Sequence, residues 1–291
     1  PIGIDDGSTD DSVETLRACE SDRRFQLHGQ QTQRAHAALN RGAELASGEV
    51  RFILNSDDVF HPQRIERLVS SFERNRDLAI AGSWLEIIDG DGKQIGVKEG
   101  FDTLPPWPRP AQGPTLSDTR DATLALLETN YLSTTSNMAV RRSVLVDSGV
   151  SFADLRYTHD WDFALRLAGC GGLELIEEPL VQYRVHGSNT IAEGQQRLTR
   201  GAMHFEILWV VARYVHQLIE QAVERGFDRP ELLERAGRGL PRFGCPELMR
   251  QLIAIRGRKL SCPADYDRLL VSENIFRQRA TASLIEAGDR Q

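Results

Sequence analysis

The sequence has no apolar run near the ~20 residues a helix needs to cross a bilayer, so it offers no membrane span. It also lacks an excess of positive charge: 35 Lys and Arg stand against 42 Asp and Glu, a formal net charge of −7. That balance argues against a general nucleic-acid binder, which needs a basic face for phosphates. Cysteine is scarce, and Cys19, Cys170, Cys245 and Cys262 show no metal-ligand spacing. Reduced thiols and a cytoplasmic setting are therefore expected. There is no internal repeat, no signal-peptide pattern and no initiator Met. Nor does any strand end in a Gly-rich, Lys- or Arg-containing phosphate loop, which counts against nucleotidyl transfer onto a sugar phosphate. What is present is an ordinary globular balance: 291 residues, 40% hydrophobic and 26% charged, enough for one large or two ordinary domains.

The stretch 50–62, VRFILNSDDVFHP, organises the rest. Val50 to Leu54 has the length and β-rich composition of a buried strand. It runs into Asn55, Ser56, Asp57 and Asp58, and Pro62 then opens an amphipathic helix carrying Ile65, Leu68, Val69 and Phe72. Ligands bind at the carboxyl edge of open α/β sheets. Two hard carboxylates there suit Mg²⁺ or Mn²⁺ carrying a diphosphate. The same pair would serve as a cap for the following helix. Asp5-Asp6-Gly7-Ser8 repeats the pattern after Ile2–Ile4, as a capped turn or as a grip on a base or ribose.

Between these lies a small-residue helix face on Ala35, Ala38, Leu39, Gly42, Leu45 and Ala46. Gly42 costs about 1 kcal/mol there relative to Ala, which predicts close packing on a sheet. Leu78 to Val97 reads as a hairpin turning at Gly90-Asp91-Gly92. Prolines around Trp107 mark a loop, either an exposed crossing or a flap whose indole stacks on a sugar. Asp160 and Asp162 lie two apart at a helix start, so they point in different directions; by itself Asp160 reads as a helix cap. Arg184 and His186 share one face of a strand.

In order along the chain, DDGSTD, Asn40-x-Gly42, Ala46-x-Gly48-Glu49 and Ser56-Asp57-Asp58 resemble family-2 glycosyltransferases of the GT-A fold. Ser136 to Arg142, His159-Asp160-Trp161-Asp162, and Tyr183 to Asn189 with its Arg-x-His-Gly continue the resemblance to about residue 190. The resemblance implies a nucleotide-diphospho-sugar donor, a divalent cation (Mg²⁺ or Mn²⁺) and inverting transfer to a hydroxyl of a glycan or lipid-linked acceptor. It implies Asp160 as the general base, with Asp162 structural. Donor contacts fall on Asp5, Asp6, Ser8, Asn40, Asp57 and Arg184, and metal contacts on Asp58 and His186. Two departures stand out: Asn55 occupies a position where the family often has Asp, and the first strand and helix are missing. The second leads us to expect a piece of a longer polypeptide.

The expected fold is α/β: a GT-A-like, Rossmann-type, mostly parallel sheet flanked by helices over residues 1–190, with a C-terminal helical region over 191–291. A long helix from Gln195 to Arg225 carries an apolar stripe. With Glu206, Arg213 and Glu220 it has no basic face for lipid, so the stripe is read as core, or as a surface for a partner or second copy. Location in the cytoplasm, free or peripheral to the membrane, goes with this reading. The alternative is a degenerate GT-A module that binds nucleotide or scaffolds a partner without catalysis.

Overall fold

The computed structural model describes residues 1–101, 113–187, 197–240, 246–257, 266–270 and 274–288. Trp107, Ser188 and Asn189 lie outside them. The chain begins with a parallel pair, β1 (Ile2–Asp5) and β2 (Gln26–Gly29), joined through the short helix α1 (Ser12–Arg17). Helix α2 (Ala35–Leu45) packs on β1. A Cβ at Gly42 would meet Ile4 Cγ1 at 3.5 Å, an ordinary contact, so the close packing predicted for Gly42 is not required. Gly42→Ala should accordingly raise the unfolding free energy by about 1 kcal/mol, read from the urea midpoint.

The main sheet runs β3 (Val50–Phe52), β7 (Ala139–Arg141), β5 (Leu78–Ile88), β8 (Gly172–Arg184), β4 (Val59–Phe60), with β6 (Gln94–Lys98) added to β5. Its spine is the long parallel ladder between β5 and β8, from Leu78↔Gly172 to Ile88↔Arg184. The ladders to β3, β4, β6 and β7 are shorter and antiparallel. Central β5 is buried almost throughout, as its sequence LAIAGSWLEII requires of a strand covered on both faces. The hairpin forms as expected, with Gly92 at φ +84° completing its tip.

Two expectations change here. The strand at Val50 is half-buried rather than buried, because β3 ends the sheet path and, among the described residues, pairs with β7 alone. The acidic turn leads into the short strand β4, and α3 (Arg64–Arg74) starts after Pro62, with Gln63 at its N-cap and no side-chain cap. Asp57 and Asp58 therefore do not cap α3. What helix α3 delivers inward is Arg64, fully buried beneath the turn.

One apolar cluster joins the sheet to the C-terminal helices. It runs from Ile80 through α4 (Ala122–Glu128), Leu145 on α5 (Arg142–Ser148) and α6 (His159–Ala168) to Phe205, Leu208, Trp209 and Val211 on α7 (Arg197–Glu224). Helices α8 (Arg229–Gly239), α9 (Pro246–Gly257) and α10 (Ile275–Gly288) pack around α7. The stripe on α7 is thus core, and the change of character after residue 190 falls within a shared core. Glu206, one of the residues that deny this helix a basic face, is buried at 4% exposure. It accepts the N–H groups of Arg156 (3.2 Å) and Tyr157 (2.9 Å), fixing the loop that leads into α6. No helix among the described residues is long and apolar enough to cross a membrane.

Candidate active site

The turn between β3 and β4 is tied down by Asn55. Its backbone N–H donates to Ser136 Oγ (2.9 Å), its Nδ2 donates to Thr134 Oγ1 (3.0 Å), and its Oδ1 accepts from Thr135 Oγ1 (2.8 Å). A carboxylate could not donate to Thr134, so the amide at this position has a structural reason. The two aspartates that follow face opposite ways. Asp58 is buried at 6% exposure, and its carboxylate accepts from the Arg184 N–H (3.0 Å) and the Thr134 hydroxyl (3.2 Å). Burial pushes its pKa up, against the hydrogen bonds from Ser136, Arg184 and Thr134.

Asp57 faces outward, with Oδ2 3.2 Å from His186 Nε2 and each side chain about a third exposed (33% and 31%). Arg184 closes the turn from the other strand. Its Nε donates to Asp57 O (2.9 Å), and Nη1 donates to Asp89 O (3.1 Å) and Gly90 O (3.0 Å) at the hairpin tip. Of the residues that the resemblance assigns to the metal, His186 faces outward beside Asp57, and Asp58 is buried. Among the described residues no group of three or more His, Cys, Asp or Glu side chains is placed to hold a metal. Any cation here needs oxygens from a bound ligand and water to complete its shell.

Asp160 sits in the first turn of α6, whose N-cap is Thr158. It is 8% exposed. Oδ1 accepts from the Trp161 N–H (2.7 Å) and Oδ2 from Asn130 Nδ2 (3.2 Å). Burial raises its pKa, opposed chiefly by the charge of His159 and by these hydrogen bonds. Tyr183 links the two halves: burial, then the charges of Asp58, Asp160 and Asp57, push its phenol pKa up. That ring lies within electrostatic reach of both the acidic turn and Asp160. Asp162 is filled structurally, accepting from Tyr214 Oη (2.5 Å) and from Arg166 Nε (3.0 Å).

Asp5, Asp6 and Ser8 form a second cluster at the end of β1. Asp5 accepts from the Gly7 N–H (3.2 Å) and the Ser8 N–H (3.3 Å). The Ser8 side chain and these N–H groups hold its pKa below the usual value despite burial. Asp6 accepts from Gln30 Nε2 (2.7 Å) and the Gln33 N–H (3.0 Å), joining its loop to residues 30–33. Gly7 is required there, at φ +85° with a Cβ position 2.6 Å from Thr32 Oγ1. Asn40 stands apart: Nδ2 donates to Phe152 O (2.9 Å) and Oδ1 accepts from the Phe152 N–H (2.7 Å), clamping α2 to the chain before α6.

Residues 130–135 carry no part of the sequence-level expectation, and Ser136 enters it only through the family resemblance; the structure brings Asn130, Thr134, Thr135 and Ser136 to this site. The signal was available: Ser133-Thr134-Thr135-Ser136-Asn137 is a polar run that ends in buried Met138-Ala139-Val140. Arg64 holds it from behind, donating to Ser136 O (3.0 Å) and Ser83 Oγ (2.9 Å), with its pKa pushed down to about 9 by burial.

The S. aureus TarS fragment 1–349, solved in complex with UDP-GlcNAc, has a similar structure. Its TM-score is 0.56 at 13% identity, over 97% of this chain and 69% of that one. The architecture is thus that of the GT-A glycosyltransferases, as expected from the sequence. Residues 2–147 match the sequence profile of Glycosyl transferase family 2, and the chain belongs to that family. An uncharacterized glycosyltransferase of Nostoc sp. is 30% identical over 192 residues, covering 64% of this chain and 55% of the relative. The putative glycosyltransferase EpsH of Bacillus subtilis is 25% identical over 203 residues, covering 68% of this chain and 55% of the relative. The chain spans little more than half the length of these curated relatives.

Proposed function

We propose that this chain transfers a sugar from a nucleotide-diphospho-sugar to a hydroxyl of a glycan or lipid-linked acceptor, with inversion and with Asp160 as general base. The observation that carries the reading is a buried carboxylate, Asp160, bonded to the segment that also bonds Asp58 in the acidic turn, with Tyr183 feeling the charges of Asp58, Asp160 and Asp57. A base needs a pKa drawn toward the working pH, and burial of Asp160 acts in that direction. Asp160 takes the proton of the acceptor hydroxyl as that oxygen attacks the anomeric carbon; the bond from that carbon to the diphosphate breaks and the nucleoside diphosphate leaves.

Asp57 and His186 are the residues that would hold a divalent cation, and they fit one: a carboxylate and an imidazole nitrogen 3.2 Å apart at the surface. The imidazole favours Mn²⁺ over the oxygen-preferring Mg²⁺. When bound, the cation would offset the charge developing on the leaving diphosphate. Asp5, Asp6 and Ser8 are the groups for the nucleoside in this reading. Asn55 no longer argues for a degenerate module, because its amide is used in holding the turn.

The test is to incubate the chain with α-linked UDP-sugars and GDP-mannose, with Mn²⁺ or with EDTA, and to follow products by proton NMR. Nucleoside diphosphate release that depends on Mn²⁺, with the β-linked product or β-sugar appearing first, is expected. First appearance of the α-anomer, or release that EDTA leaves unchanged, would overturn the inverting, metal-dependent reading.

A further inference from the structure

The segment 130–137 touches both halves of the site. At one end Asn130 Nδ2 donates to Asp160 Oδ2 (3.2 Å). At the other the Thr134 hydroxyl donates to Asp58, and Ser136 Oγ accepts from the Asn55 N–H. Between them the backbone is strained, with Ser133 at φ +64°, a conformation that a non-glycine residue holds only when its surroundings dictate it.

Packed against it is Lys98, at the end of β6 and 1% exposed. Its Nζ donates to Ser133 Oγ (2.6 Å) and to Asn130 O (3.2 Å). The Ser133 N–H in turn donates to Asn130 Oδ1 (3.4 Å), which leaves Nδ2 as the end of the amide facing Asp160. Beneath the segment the sheet allows no slack. A Cβ at Gly82 would lie 2.5 Å from Leu132 Cδ2 and 3.0 Å from Asn137 O.

We propose that Asn130 is the positioning residue of Asp160, oriented by Ser133 and Lys98, so that segment 130–137 fixes the base relative to the acidic turn. This rests on the reading of Asp160 as the base. Asn130 supports the ionised form of Asp160 against burial and holds Oδ2 in place, leaving the proton-accepting direction set by a rigid segment. Among the described residues the other titratable groups facing Asp160 are His159 on α6 and Tyr183 on β8, with Lys98 behind Asn130.

The decisive experiment needs no substrate. The Asp160 side-chain carbon is followed by ¹³C NMR across pH in the full chain and identified by its loss in Asp160→Asn. In Asn130→Ala its midpoint should rise by about one pH unit. Ser133→Gly tolerates the positive φ and removes the Lys98 acceptor; it should move the midpoint the same way by roughly half as much. With UDP-GlcNAc, UDP-glucose and GDP-mannose as probes, Asn130→Ala should lower kcat for donor hydrolysis about tenfold to a hundredfold and leave donor KM within a factor of about two. An Asp160 midpoint unmoved in both variants overturns the proposal, whatever happens to turnover. Full turnover in Asp160→Asn overturns the base assignment, and this proposal with it, even where the midpoint has moved.

Discussion

Asp160→Asn should abolish sugar transfer, by about a thousandfold or more, while leaving Mn²⁺-dependent nucleotide binding within a factor of about two. The substitution keeps the shape of the side chain and removes its capacity to take a proton. Binding is expected to survive because the outward donors, Asp57 and His186, lie on the β3–β4 turn and just past β8, not on α6. The pH profile of the parent adds a second check. Its acidic limb should lie above the ordinary carboxylate value of 3.8, since burial raises the Asp160 pKa. The stability consequence has a definite sign. A folded-state pKa above the unfolded value contributes stability that is present below 3.8 and lost as pH rises through the raised value. The asparagine variant has no such loss, so its Tm relative to the parent should improve as pH rises across that window. Activity within tenfold of the parent would remove Asp160 from the mechanism.

Asp57→Ala and Asp58→Ala should fail in different ways, although the residues are neighbours. Asp57→Ala, like His186→Ala, should abolish the thermal stabilisation by UDP or GDP that requires Mn²⁺, and leave the Tm of the free protein nearly unchanged. A ligand at a hundred times its Kd adds ~2.7 kcal/mol, on the order of 5 °C for a chain of this size. Asp58→Ala should instead lower the Tm of the free protein, because the Arg184 N–H and the Thr134 hydroxyl would lose their buried acceptor. Each donor stranded in this way costs about 1–3 kcal/mol. Differential scanning fluorimetry on the three variants, with and without Mn²⁺ and each diphosphate, separates the two effects. An undiminished Mn²⁺-dependent shift in Asp57→Ala would take the cation away from the outward pair.

Much of this architecture could be read from residue types. The apolar periods of β5, the hairpin turn at Gly90-Asp91-Gly92 and the stripe on α7 are all local patterns, and they fold as read. The two-residue strand β4 was not legible, because two residues carry no period; it exists through its pairing with Val181 and Gln182. The burial of Glu206 was not legible either, because a charged residue on a helix is usually exposed; the N–H groups of Arg156 and Tyr157 and the Thr158 hydroxyl are what it meets inside.

By itself the sequence determined the order of elements and the inventory of chemistry: acidic turns after strands, an aspartate at the start of α6, a histidine two residues beyond an arginine. Those follow from propensities and periods that act over a few residues. Only the tertiary structure decided which carboxylate of a pair faces solvent and what holds the buried ones. Asp58 turns inward to an N–H 126 residues away, Asn55 is anchored to a hydroxyl 81 residues away, and Asp160 meets an amide 30 residues before it. Side-chain direction at such a site is set by partners that become neighbours only when the sheet assembles, and no local pattern encodes them.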